Sequence, residues 1–181
     1  MNAPNFELRL ASPPDTITVA ALSVQVFLDT YATEGIRPDL AYEAFSEYSA
    51  EAFTQRLGEA NREFILAESG AGLLGYAEVL LSPLPAPAGQ LSGAELVRLY
   101  VQPAAQHSGI GRALLDRAER AVLTAGIPSL WLTTWDGNPN ARAFYARMGY
   151  ADVGATTYSF QGNSYANRVF AKHLSGIRSA A

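Results

Sequence analysis

The stretch Leu99-Tyr100-Val101-Gln102-Pro103-Ala104-Ala105-Gln106-His107-Ser108-Gly109-Ile110-Gly111-Arg112 decides how the rest of the chain is read. Glu95 to Val101 alternates as a strand does. Ile110 to Ala125 repeats its apolar residues at helical spacing, with Ile110, Leu114, Leu115, Ala118, Val122 and Leu123 on the side to be buried. Between them a turn delivers two glycines into the start of the helix. Glycine there lets a ligand approach the backbone, while unbonded N–H groups and the helix dipole favour an anion such as a pyrophosphate. The same glycines could instead serve only to pack helix against sheet, and the residues alone leave both readings open.

Other phosphate and nucleophile motifs fail at named positions. A dinucleotide fingerprint wants a third glycine where Leu114 stands, and Gln102 to Ser108 separate the glycines from the strand, although Asp136 sits where a ribose-binding acid would. No Gly-x4-Gly-Lys-Ser/Thr sequence exists. Ser108 is not a nucleophile elbow, because Gln106 occupies the first glycine position.

Outward from this turn the chain reads as a mixture of strands and helices. Phe6–Leu10, Phe64–Glu68, Leu73–Leu81, Leu130–Trp135, Val153–Phe160 and Tyr165–Lys172 join Glu95–Val101 as strands, the last pair being a hairpin across Gly162-Asn163. Helices are expected from Asp15, as N-cap, to about Tyr31, over Ala50–Glu59, and over Pro139–Met148, besides the one after the glycines. The first helix should bury Ile17, Ala20, Ala21, Val24, Phe27 and Leu28. Residues 82–93 carry so many breakers that they read as a loop. The strand, helix and strand from Glu95 to Trp135 imply a right-handed parallel crossover. The expectation is one α/β domain over residues 1–181 with frayed ends near 1–4 and 175–181.

Composition removes several functional classes. With 49 % hydrophobic and 17 % charged residues the chain is globular in composition. It has no cysteine, so disulfides, thiolate catalysis and Cys-ligated metals are out, and His107 and His173 lack a second ligand at useful spacing; no metal is expected. A net charge of −4 argues against a nucleic-acid partner and permits a cationic substrate. No membrane segment or secretory signal is expected, which makes a soluble cytoplasmic protein the expectation.

Gln106-x-x-Gly109-x-Gly111, preceded by an apolar strand and Pro103, resembles the Arg/Gln-x-x-Gly-x-Gly/Ala signature of the GCN5-related N-acetyltransferases (GNAT). Asn140 through Tyr150 is similar to that family's Asn-x-x-Ala-x-x-Phe/Tyr-Tyr-x-x-x-Gly-Phe/Tyr block, with an Ala three residues and a Tyr five residues after Asn140. Phe27-Leu28-Asp29-Thr30-Tyr31, Trp131-Leu132-x-x-Trp135 and Tyr158-Ser159-Phe160-x-Gly162 resemble the bacterial spermine/spermidine acetyltransferases of the PaiA type. The resemblance implies a mixed sheet of about seven strands, splayed between the fourth and fifth, with about four helices. It also implies acetyl-CoA as cosubstrate. The pantetheine arm would lie along Leu99, Tyr100 and Val101, and the pyrophosphate on the amides of Gln106, His107, Ser108, Gly109, Ile110, Gly111 and Arg112. Asn140 would help hold the arm, the Val101 N–H would polarise the thioester, and Tyr145 would protonate the departing sulfur.

An amine with a pKa near 10.4 is mostly protonated at neutral pH, so its attack needs a route for the proton. Glu95 begins the fourth strand, where some members of the family carry that base, and alternation places it on the face of Leu99 and Val101. An exposed strand-end carboxylate is the other reading of Glu95, as a core aromatic is of Tyr145. Trp131 and Trp135 suit the core or the cleft wall. Asp29, Glu34, Asp39, Glu43 and Glu47, interleaved with Tyr31, Tyr42, Phe45 and Tyr48 against a lone Arg37, suit either the wall of a site for a small cationic amine, a polyamine foremost, or a solvated helix face. A protein amine as acceptor, a CoA-binding sensor without turnover, and assembly as a homodimer all stay compatible with the residues.

Overall fold

Strands β1 (Glu7–Leu10), β2 (Arg62–Ser69), β3 (Gly72–Pro85), β4 (Ser92–Val101), β5 (Ser129–Trp135), β6 (Ala151–Phe160) and β7 (Asn163–His173) form one mixed sheet. Their order is β1-β2-β3-β4-β5-β7-β6, and β4–β5 is the one parallel pair among them. The coordinates are a computed structural model describing residues 5–89 and 91–174, so the ends expected to fray lie outside the described residues. Among the described residues five α-helices flank the sheet, where about four are expected: α1 (Thr16–Tyr31), α2 (Pro38–Ser46), α3 (Ala50–Leu57), α4 (Ile110–Thr124) and α5 (Pro139–Arg147). The unforeseen one is α2. It starts on Pro38, whose missing N–H is harmless in a first turn.

Both faces of the sheet are covered, which is why β2 reads Phe64-Ile65-Leu66-Ala67 without polar alternation. Ile65, Ala77, Val79, Leu96, Leu130 and Leu132 pack with Ile110, Leu114, Leu115, Ala118 and Val122 of α4. Phe64, Leu66 and Tyr76 pack on the other side with Val19, Leu22, Phe27, Leu40 and Phe53 from α1–α3. Each Val, Leu, Ile or Phe side chain among them, fully buried, contributes roughly 1.5–3 kcal/mol.

Two expectations are corrected here. In α1 the buried stripe is Val19, Ala20, Leu22, Ser23, Val26 and Phe27, while Ile17 is 63 % exposed. The buried Ser23, bonded to the Val19 carbonyl and to the Tyr76 hydroxyl (2.7 Å), hid this stripe from an apolar-only count. Nor is 82–93 all loop. Past an irregularity after Leu80, Leu84 pairs with Gly93 and Pro85 with Ser92, closing a hairpin through Ala86 N–H to Leu91 C=O (2.9 Å). Proline is tolerated there because it stands at a strand end.

Candidate active site

The sheet opens between β4 and β5. Their ladder consists of Ala94 opposite Leu130 and Glu95 opposite Trp131, although β4 runs on to Val101 and β5 to Trp135. Gly93 permits the close approach at the base, since a Cβ there would lie 2.5 Å from the Ser129 carbonyl oxygen. The Trp131 indole N–H then donates to the carbonyls of Gly93 (3.1 Å) and Leu84 (3.2 Å). Beyond Glu95, the register on β3 skips Val97, a bulge that turns β4 away from β5.

The bulge also resets which face each β4 residue serves. Leu96, Leu99 and Val101 belong to the α4 side, whereas Tyr100 packs on the α1–α3 side. Glu95, opposite Leu80 in the register that sets Arg98 opposite Glu78, therefore shares the face of Arg98 and Tyr100. The simple alternation that grouped Glu95 with Leu99 and Val101 fails at Val97.

Gln102 N–H donates to Leu74 C=O at 2.9 Å. Such bonds alternate along an antiparallel ladder, so Tyr100 and Arg98 also turn their backbone groups toward β3. Those of Leu99 and Val101 turn toward the gap, where no β5 residue stands opposite them. Tyr100 thus departs from the expected cofactor contact: its backbone faces β3, and its hydroxyl meets that of Tyr48 at 3.1 Å. The Gln106 amide nitrogen donates to Val101 C=O at 3.3 Å, linking the strand to the glycine turn.

At the mouth of the gap the N–H groups of His107, Ser108, Gly109, Ile110, Gly111 and Arg112 have no hydrogen-bond partner among the described residues. His107 (φ 61°) and Gly109 (φ 90°) are left-handed, the alternation that curls successive amides into an anion-binding nest. The Ser108 hydroxyl donates to Ala105 C=O (2.5 Å) and steadies the turn. A Cβ on Gly109 would meet nothing within 4 Å, and one on Gly111 would reach only ordinary contact with Phe144 and Val101, so the surface above the nest is open. His107 is exposed, Arg112 is exposed beside Asp116 (3.7 Å), and Ile110 is fully buried, leaving only its backbone available.

Tyr145 sits on α5 with its ring buried against Tyr150, Phe144 and Phe170. Its hydroxyl has no hydrogen-bond partner among the described residues. Burial, followed by the charge of Tyr100 on β4, raises its pKa. Asn140 is exposed in the first turn of α5. The ordered asparagine is Asn138, whose side chain accepts the Ala141 N–H at 3.0 Å as N-cap. The family spacing, Ala three, Phe six and Tyr seven residues after the Asn, is met from Asn138 through Ala141, Phe144 and Tyr145, so the reading that began at Asn140 was two residues out of register.

On the face of Glu95, helices α1 and α3 pack on β2, β3 and β4, with α2 against α1. Thr133 and Trp135 of the interior strand β5 stay half-exposed there, flooring a groove. Tyr31 leans on Trp135 with ring centroids 5.3 Å apart, forming one rim. Glu78, which sequence reasoning missed, is fully buried between Arg62 (2.5 Å) and Arg98 (2.5 Å); Arg98 continues to Glu47 (2.6 Å), Glu47 to Arg56 (3.1 Å), and Arg62 to Glu59 (2.8 Å). Three arginines and three glutamates balance one another. Glu95 is left over, and burial raises its pKa, opposed by Arg62 and Arg98 and reinforced by Glu78.

The acids of α2 are not simply a solvated face. Asp39 holds Arg37 (3.0 Å) and accepts from Tyr165 (3.0 Å) and Asn163 (3.1 Å), and the Arg37 hydrogen bond lowers its pKa to about 2. Glu43 is buried, accepts from the Tyr158 hydroxyl at 2.8 Å, and has no cation partner among the described residues. Asp29 and Glu34 remain exposed. Two surface clefts lie apart from the gap, one lined by Pro38, Ala41, Tyr42 and Phe45, the other by Pro139, Arg142, Ala143, Ala146, Asp152 and Phe170. Among the described residues no group of His, Cys, Asp and Glu is placed to hold a metal, and no helix is long and apolar enough to cross a membrane.

A splayed mixed sheet with an amide nest at the mouth of the gap defines a class, and comparison with known proteins agrees. The acetyltransferase (GNAT) family matches residues 29–150, and the chain belongs to that family. An uncharacterised N-acetyltransferase from Lactobacillus delbrueckii subsp. lactis is 25 % identical over 138 residues, covering 76 % of this chain and 80 % of the relative. The PaiA N-acetyltransferase of Thermoplasma acidophilum, solved with coenzyme A, superposes with a TM-score of 0.71 at 22 % identity, covering 94 % of this chain and 99 % of that one. The spermidine/spermine N-acetyltransferase SpeG of Vibrio cholerae has a TM-score of 0.65 at 16 % identity, with 93 % of both chains covered.

Proposed function

We propose that this acetyltransferase moves the acetyl group of acetyl-CoA to a primary amine in a ternary complex, with a small cationic amine as acceptor. The observation that carries the reading is the continuity of free donors: six amides from His107 to Arg112 in the turn into α4, followed inward by the gap-facing backbone of Leu99 and Val101. The nest suits a pyrophosphate, and the strand edge suits the amide-bearing arm behind it, taken up as an added strand would be. The PaiA relative solved with coenzyme A supports this choice of donor.

Leu99 or Val101 N–H polarises the thioester carbonyl as charge develops on its oxygen. The amine nitrogen forms a bond to the acyl carbon, the carbon–sulfur bond breaks, the amine proton passes toward Glu95, and the sulfur receives a proton or hydrogen bond from Tyr145. Both residues suit these tasks. Glu95 has no ion-pair partner among the described residues, and burial keeps the Tyr145 phenol protonated at neutral pH. A cationic acceptor is favoured by Glu43 and the tyrosine rim, and the spermidine acetyltransferase among the structural relatives supports it.

The test is release of free thiol from acetyl-CoA across a panel of diamines, monoamines and peptides; the cysteine-free chain contributes no thiol of its own. Turnover with small amines is expected. Turnover with peptide amino groups only would replace the acceptor class, and binding of CoA without thiol release from any of them would make the chain a sensor.

A further inference from the structure

The hairpin that joins β3 to β4 has no role in the reaction described so far, and its placement is specific. Its root is held by the Trp131 indole through Leu84 and Gly93, and Asn61 donates to Ser82 at 2.6 Å behind it. Trp131 lies on the face opposite Leu130 and Leu132, which is the face of Glu95. Thr133, Val169 and Gly154 stand side by side on that same face of β5, β7 and β6. The hairpin tip rests on the β6 end of this row: a Cβ built on Gly154 would lie 2.7 Å from the Ala88 Cβ, and one on Gly89 would lie 3.7 Å from Val153. From β4 the hairpin therefore crosses β5 and β7 to reach β6, over the lower end of the groove. No Asp, Glu, Lys, Arg or His occurs from Leu80 to Ala94.

We propose that this strap is a specificity wall that closes the acceptor groove beside Glu95, so that the enzyme acetylates terminal primary amines whose remainder extends toward Glu43 and Tyr158. The inference rests on the acceptor reading above. The nucleophilic nitrogen must lie between Glu95 and the gap-facing backbone of Leu99. On one side of it Thr133 and Trp135 stay half-exposed in the direction of Glu43, which is buried and has no cation partner among the described residues. On the other side stands an uncharged wall pinned at both root and tip. A substituent on the attacking nitrogen would press into that wall, whereas a second ammonium further along the chain would be drawn to Glu43.

The experiment compares kcat/KM for diaminobutane with that for its N,N′-diethyl counterpart, in which both nitrogens are secondary. Wild type should favour the primary amine by at least about 10-fold, the scale on which a pocket rejects one or two extra carbons. Gly154→Ala pushes Ala88 outward and should erase most of that preference with the KM for acetyl-CoA unchanged. Adding Ala88→Gly to it removes the colliding Cβ and should restore the preference. The backbone strain of alanine at φ 152° would persist in the double variant, so rescue singles out the contact. Trp131→Phe, which removes the indole N–H anchor and keeps an aromatic, though smaller, side chain, should relax the preference as Gly154→Ala does and serves if that variant fails to fold. Unchanged preference in the folded single variants, or none in wild type, overturns the wall. No transfer by wild type to either amine overturns the amine reading, and the wall with it.

Discussion

Burial raises the pKa of both Tyr145 and Glu95, with opposite consequences for what each can do. For the phenol it secures the protonated form that a donor to sulfur needs. Tyr145→Phe keeps the ring packed against Tyr150 and Phe170 and loses only the hydroxyl. CoA affinity should stay within a few-fold while turnover falls on the order of 10²-fold, measured on one preparation by calorimetry and thiol release. For Glu95 the raised pKa means that the folded protein holds the proton more tightly than the unfolded chain does. Stability is therefore fully present below the unfolded carboxylate pKa, and part of it is lost as pH rises toward the folded value. Glu95→Gln should raise the melting temperature at pH 7 more than at pH 4 while lowering turnover, most of all at low pH where free amine is scarcest. A melting gain that is the same at both pH values would show that Glu95 is not desolvated.

Among the elements, the glycines at the two ends of the crossover are required for different reasons. Gly109 caps α4 at φ 90° with open space around it, so Gly109→Ala meets strain but no collision and should cost about 1 kcal/mol. Gly93 sits where a side chain would strike the Ser129 backbone, next to the rungs Ala94–Leu130 and Glu95–Trp131 that join β4 to β5. Gly93→Ala should cost about 3 kcal/mol, the upper range for overpacking, because backbone cannot yield as a flexible side chain does. Urea titration of the two variants ranks them, and a reversed order would refute this account of the splay. The elements themselves were largely legible: periodicity marks α1, α3, α4, α5 and the seven strands. What escaped was local and polar. The start of α2 on Pro38 lies in a stretch without a clear period, and the hairpin extension through Pro83 and Pro85 looks like a loop because its pairing partners are on another strand.

For the whole molecule, a ligand that binds only the folded state stabilises it by mass action. CoA at 100 times its dissociation constant should add roughly 2.7 kcal/mol to the unfolding free energy, read as a rise in melting temperature. Gly111→Val should abolish the rise, since a branched side chain would reach past the Phe144 and Val101 contacts into the space above the nest. Absence of any shift in wild type at millimolar CoA would exclude the donor site. By itself the sequence determined the fold class and the position of the glycine turn, because hydrophobic period and glycine placement are local and survive without knowledge of neighbours. It also put Tyr145 and Glu95 forward as candidates, which the variants above test. The tertiary structure alone decided which face Glu95 serves, that Glu78 is buried between two arginines, that Glu43 has no cation partner among the described residues, and that the strap reaches Gly154. Each of these depends on a register shift or on partners far apart in the chain. A single skipped residue at Val97 inverts every later side chain on β4, and nothing in the residues flanking it encodes that slip.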